Sequence, residues 1–230
     1  MQNIASYIDH TLLKKDAKEN DIKKLCEEAI RYGFCGVCIY PKYLPFAKTL
    51  LKNKNVKLVT VIDFPEGKSM PSKKAKDTKK AINIGADEID MVIDVMSLKR
   101  KDYQKVFDGI FQVVREANGK CVKVIIETAL LEDDEKKIAC ALAKAANADY
   151  VKTSTGFAGG GATIEDVELI KKIIGNDMKV KASGGIKSYY IAYKMIKKGA
   201  DRIGTSSSIK IVQEEKLQKK QRKNKNDNKK

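Results

Sequence analysis

Eight short apolar runs, each followed by a stretch in which apolar residues recur at helical spacing, divide the chain at intervals of roughly 20 to 35 residues. The runs occupy 8–11, 36–40, 57–62, 88–93, 122–126, 150–152, 179–182 and 201–204. They are apolar on both faces rather than strictly alternating, which is the pattern of parallel strands covered by helices. Eight such units in 230 residues, 43% of them hydrophobic, predict a single-domain α/β fold, the (β/α)8 or TIM barrel. A doubly wound open sheet is the rival, but no GxGxxG follows the first strand and no change of composition divides the chain.

Between the runs, helices are expected over about 16–32, after Pro41, and over 73–84, 97–117, 132–146, 163–174 and 188–198. Gly33 and Gly85 follow the first and third of these, where a left-handed C-terminal residue ends a helix. The formal charge of +16 and pI near 9.5 point to anionic company: a phosphorylated small molecule, nucleic acid or a membrane surface. Much of the charge lies in KLQKKQRKNKNDNKK at 216–230, which lacks apolar periodicity after Leu217. The barrel is therefore expected over 1–212, with 213–230 a lysine-rich, disordered and solvated tail. No aromatic residue accompanies the tail's basic residues, which argues against a nucleic-acid stacking platform there.

Five cysteines, Cys26, Cys35, Cys38, Cys121 and Cys140, form an odd set scattered through apolar segments, as reduced core residues of a cytoplasmic protein do. Cys35 and Cys38 have CxxC spacing but bracket a strand-like run, where positions three apart face opposite sides. With one histidine, His10, and no second CxxC, a metal site is not expected. The N-terminus lacks a basic region followed by a long apolar run, and no stretch approaches membrane-spanning length.

In a barrel the chemistry belongs at the C-terminal ends of the strands. The stretch ADYVKTSTGFAGGGAT at 148–163 ends a strand in Lys152, then passes through hydroxylated residues into glycines and a helix. Burial favours the neutral form of an amine, and neutral amines attack carbonyls. Asp90 and Lys181 also lie inside apolar runs and need partners there. Each satisfies the other as a structural ion pair, or the two serve Lys152 as electrostatic neighbour and proton relay. Asp9, Thr11, Asp63, Asp94, Glu127 and Thr128 are the other polar residues at strand ends. SGGIK at 183–187 and GTSSS at 204–208 follow the seventh and eighth strands; in barrels these loops often hold a phosphate on backbone N–H groups. Plain turn chemistry is the alternative.

These segments carry a resemblance to the deoxyribose-phosphate aldolases, a class I aldolase family. IDHTLL at 8–13, VCIYP at 37–41, GADEIDMVI at 85–93, KVIIET at 123–128, DYVKTSTGF at 149–157, KASGGIK at 181–187 and GADRIGTSSS at 199–208 stand in the family's order, up to about Lys210. The resemblance implies a barrel that reversibly cleaves 2-deoxy-D-ribose 5-phosphate to D-glyceraldehyde 3-phosphate and acetaldehyde in deoxynucleoside breakdown. It implies neither metal nor other cofactor, a cytoplasmic location and a homodimer. By the family pattern Lys152 forms the Schiff base, Lys181 tunes it and joins the proton relay, and Asp90 is the relay carboxylate. Phosphate contacts map to Gly156, Gly184, Gly185, Gly204, Ser206 and Ser207, with Lys187 a cationic helper; Asp9, Thr11 and Cys38 support the substrate pocket. The chain departs from the pattern at Asp63, commonly small or amide, at Asp94, often Asn, and at Ala129, often Cys. Some members use a C-terminal tyrosine in the proton step, but the last tyrosine here is Tyr193, so that contribution is not expected. Two extra carboxylates at the mouth are expected to weaken anion binding or alter acceptor preference. A basic tail on a catalytically silent barrel is the reading of another class.

Overall fold

Eight parallel strands hydrogen-bond in chain order and the last pairs back with the first, closing the sheet. The computed structural model describes residues 3–227. In order, the first half comprises β1 (Ile8–Leu12), α1 (Glu19–Tyr32), β2 (Gly36–Ile39), α2 (Leu44–Leu50), β3 (Lys57–Ile62), α3 (Pro71–Ile84), β4 (Glu88–Val92), α4 (Val95–Lys99) and α5 (Tyr103–Glu116). The second comprises β5 (Cys121–Ile125), α6 (Asp133–Ala145), β6 (Tyr150–Lys152), α7 (Ile164–Ile174), β7 (Lys179–Ser183), α8 (Tyr189–Lys197), β8 (Arg202–Thr205) and α9 (Ser208–Asp227). The expected (β/α)8 barrel is the fold, with every strand within a residue or two of its predicted span.

Helix ends follow local chemistry. Gly33 takes the left-handed conformation at the end of α1 (φ 69°), and Thr163 and Ser188 accept N-terminal amides of α7 and α8. The single helix expected over 97–117 is instead two. Asp94 caps α4 by accepting from Ser97 N, Asp102 caps α5 by accepting from Lys105 N, and Lys101 between them is left-handed (φ 63°). Two capping aspartates eight residues apart overrode a continuous apolar periodicity.

The residues expected as a disordered tail from 213 continue α9 through Asp227, and residues 228–230 lie outside the described residues. Two contacts tie this helix to the barrel: Ile211 and Val212 are buried, and Glu215 is buried with its carboxylate accepting from Ile4 N (3.4 Å) and pairing with Lys219 (2.8 Å). The boundary expected at 212 therefore falls inside a helix.

The larger apolar cluster lies between the outer face of the sheet and the helices, with Val37, Ile39, Leu58 and Ile62 facing it. A smaller cluster of Leu13, Cys38, Val59 and Val61 fills part of the barrel interior. Residues in register across a parallel sheet share a face. Val61 is in register with Asp90, Asp90 with Lys123, Lys152 with Lys181, and Lys181 with Arg202. The inside of the barrel is thus apolar along β2 and β3 and ionic from β4 round to β1. No helix among the described residues is long and apolar enough to cross a membrane.

Candidate active site

Asp90, on β4 and completely buried, is the centre of the ionic half. Its Oδ2 accepts from Lys152 Nζ (2.7 Å) and Lys181 Nζ (2.7 Å), and its Oδ1 from Lys123 Nζ (3.0 Å). Lys181 also reaches Asp9 Oδ2 (2.5 Å), whose Oδ1 takes Arg202 (2.7 Å). Lys123 and Arg202 share Glu88, at 2.5 Å and 3.3 Å. Four cations face three carboxylates, so the buried network carries one positive charge more than it neutralises.

Burial alone would raise the Asp90 carboxyl, but the ammoniums of Lys123, Lys152 and Lys181 outweigh it and hold the group well below the usual carboxylate range. Asp9 behaves alike: burial pushes up, while Lys181, Arg202 and Lys123 bring it to about 2. Burial pushes Lys181 down, but Asp9 and Asp90 more than restore it and the ammonium is held above its ordinary range. Gly204 clears the space Lys181 needs, since a Cβ there would lie 3.1 Å from Lys181 Cε and 2.9 Å from Ser183 Cβ.

Glu88 and Arg202 line a cavity at the N-terminal ends of the strands, and Lys152 is the member of this network that meets the one at the C-terminal ends. It lies 3% exposed at the floor of a space of about 530 Å³ at the C-terminal mouth of the barrel. Gly156, Gly184, Gly185, Lys187, Gly204, Ser206 and Thr11 line the same space, together with Lys14, Lys15, Thr155 and Phe157. Gly156, Gly184 and Gly185 all have positive φ (83°, 89° and 74°). The loops also touch: a Cβ on Gly161 would lie 2.4 Å from Gly184 O, so only glycine allows this approach. Lys152 and a cradle of glycine backbone and lysines thus open into one cavity.

The match to known proteins agrees with this arrangement. Residues 3–214 fit the family model described as DeoC/LacD family aldolase. The chain belongs to the DeoC/LacD aldolase family. It is 53% identical to the deoxyribose-phosphate aldolase of Coprothermobacter proteolyticus over 207 residues, covering 90% of this chain and 94% of the relative. With the deoxyribose-phosphate aldolase of Thermococcus kodakarensis it shares 53% identity over 92% of this chain and 96% of the relative. The solved tetrameric deoxyribose phosphate aldolase of Aeropyrum pernix superposes with a TM-score of 0.86 at 35% identity, over 93% of this chain and 91% of that one.

In this DeoC/LacD aldolase the other expected site residues divide into three groups. Asp9 and Cys38 lie beneath the cavity rather than in its wall; burial raises the Cys38 thiol to about 11, helped by Asp90 and opposed by Lys181 and Lys152. Thr11 hydrogen-bonds its hydroxyl to Asp9 O (2.9 Å) at the rim. Ser207 follows the cavity wall without joining it, its amide donating to Thr205 Oγ1 (2.9 Å).

The two carboxylates at Asp63 and Asp94 are engaged away from the glycine loops. Asp63 accepts from Ser69 N (2.8 Å) and Oγ (2.7 Å) and pairs with buried Lys74 (3.3 Å); Asp94 accepts from Ser97 and Lys105 (2.8 Å). Neither lines the cavity that holds Lys152. Among the described residues no group of three or more His, Cys, Asp or Glu side chains is placed to hold a metal ion.

Sequence reasoning missed Lys123, Glu88 and Arg202, though a signal existed. Glu88 stands two residues before Asp90 in the same strand, so both must face inward, and Lys123 and Arg202 are lone cations inside apolar runs.

Proposed function

We propose that Lys152 is the Schiff-base nucleophile of a deoxyribose-phosphate aldolase, with Asp90 and Lys181 as its proton-handling partners. The observation that carries the reading is the Lys152–Asp90–Lys181 contact, with both ammoniums 2.7 Å from one carboxylate oxygen at the base of a glycine- and lysine-lined cavity. Attack needs a free amine, and Lys152 is the amine of the network that reaches this cavity.

The Lys152 amine adds to the C1 aldehyde of open-chain 2-deoxyribose 5-phosphate, and the carbinolamine loses water to a protonated imine. A base removes the C3 hydroxyl proton and the C2–C3 bond breaks. Its electron pair moves into the imine to give the enamine, and D-glyceraldehyde 3-phosphate departs. Protonation of the enamine carbon and hydrolysis release acetaldehyde and restore the amine. The protonated imine keeps the positive charge of Lys152, and Asp90 gains proton affinity when the neutral enamine forms, because one of the cations that hold its carboxyl down is then lost. The phosphate is held by the amides of Gly156, Gly184, Gly185 and Gly204 and by Ser206, with Ser207 beside them and Lys187, Lys14 and Lys15 at the rim. Thr11, Asp9 and Cys38 shape and support the pocket.

The same reading places the enzyme in the cytoplasm, in deoxynucleoside breakdown, as a homodimer. The five free cysteines support the location, and light scattering at working concentration tests the assembly, with the Aeropyrum pernix tetramer as the other outcome.

The decisive experiment is borohydride reduction in the presence of acetaldehyde, followed by peptide mapping. A two-carbon adduct at Lys152, absent from Lys152→Met, is the expected result. An adduct elsewhere, or none in folded protein, overturns the assignment.

A further inference from the structure

Glu127 is a carboxylate that the carbon–carbon cleavage does not use, buried at 2% exposure behind the phosphate cradle. Its backbone is left-handed (φ 58°, ψ 64°), a conformation that residues with a Cβ avoid unless their surroundings enforce it. All its described side-chain hydrogen bonds go to one residue. Thr155 donates its N–H to Oε1 (3.2 Å) and Oε2 (3.1 Å), and its hydroxyl to Oε2. The Thr155 hydroxyl oxygen in turn accepts from Phe157 N (3.1 Å).

This hook spans Gly156, the left-handed glycine of the cavity wall (φ 83°). The amides on either side of Gly156 are committed to it, whereas among the described residues the Gly156 amide has no protein acceptor. A carboxylate is an expensive neighbour for an anion site, and an amide could not do the same work. Two carboxylate oxygens accept two donors three ways, whereas a glutamine has one accepting oxygen and its NH2 would force the Thr155 hydroxyl from donor to acceptor, so the charge-assisted bonds are lost.

We infer that Glu127 is a positioning residue for phosphate recognition, fixing the turn at Gly156 through Thr155 so that the Gly156 N–H stays free for the substrate's phosphate. The inference rests on the function proposed above. It predicts that the clamp matters in proportion to the phosphate and hardly at all to imine chemistry.

The test compares 2-deoxyribose 5-phosphate with unphosphorylated 2-deoxyribose in Glu127→Gln, Thr155→Val and Thr155→Ser. Loss of a charge-assisted hydrogen bond is expected to raise KM for the phosphorylated substrate about tenfold in E127Q and T155V, with kcat changing less than about threefold. On 2-deoxyribose, kcat/KM should stay within about threefold of the parent, so the preference for phosphate falls about tenfold. T155S, which keeps the hydroxyl, should retain the preference. T155V changes a half-buried loop residue and remains informative if E127Q fails to fold. Equal losses on both substrates, or an unchanged preference, overturn the inference and make Glu127 a general brace. Acetaldehyde carries no phosphate, so its borohydride trapping separates the two claims. Normal labelling of Lys152 with an unchanged preference sinks only the clamp, whereas no labelling in the parent protein sinks the proposed function and the clamp with it.

Discussion

Lys123→Met removes an ammonium that is fully buried, 2.5 Å from Glu88 Oε2 and 3.0 Å from Asp90 Oδ1. Breaking one side of a buried ion pair costs about 3–5 kcal/mol, because the partner is left charged without compensation. Here the lower end applies: Asp90 keeps Lys152 and Lys181, both at 2.7 Å, while Glu88 keeps only Arg202, at 3.3 Å. A loss near 3 kcal/mol corresponds to a fall in Tm of about 6–12 °C for a domain of this size. The pH dependence has a fixed sign. Asp9 and Asp90 have carboxyls depressed in the folded state, so they stabilise the protein above the unfolded carboxylate pKa, and that stability is lost as pH falls through their folded values. Without Lys123 the depression shrinks, so less remains to be lost in acid.

Urea denaturation of K123M and the parent at about pH 7 and about pH 3 should therefore show a gap that narrows on acidification. Adding Glu88→Gln to K123M should recover part of the loss, because the stranded carboxylate is removed with its partner. An unchanged Tm, or a gap independent of pH, would refute the electrostatic account of the barrel interior.

Two further outcomes test the geometry of the site. Gly204→Ala sets a methyl 3.1 Å from Lys181 Cε and 2.9 Å from Ser183 Cβ, and should cost about 1–3 kcal/mol of stability in chemical denaturation while cutting aldol cleavage at least about tenfold; parental activity would mean that Lys181 does not need that space. The Cys38 thiol, raised to about 11 by burial and its neighbour Asp90, should resist iodoacetamide at about pH 8 in the native protein and react on unfolding. Rapid native alkylation at Cys38 would contradict its placement inside the barrel.

Local pattern was enough for the frame of this protein. Apolar runs and helical spacing are written over a few residues each, so eight strands, their parallel arrangement and Lys152 at a strand end were legible without a structure. The glycine loops after β6, β7 and β8 were legible for the same reason. Spacing misled where a local bond competed with it, as at Asp94 and Asp102, which divide one expected helix in two. In α9, helix continued where composition pointed to disorder.

What only the tertiary structure decided is which charges meet. Lys181 finds Asp9 across 172 residues of sequence, and Arg202 finds Glu88 across 114, because closing the sheet sets β8 against β1 and turns alternate residues of every strand into one enclosed space. A lone buried lysine in a sequence announces that it needs a partner but not which one. Strand register and barrel closure make that choice, and here they join seven charged groups into one network, with Lys152 at the end that meets the glycine loops.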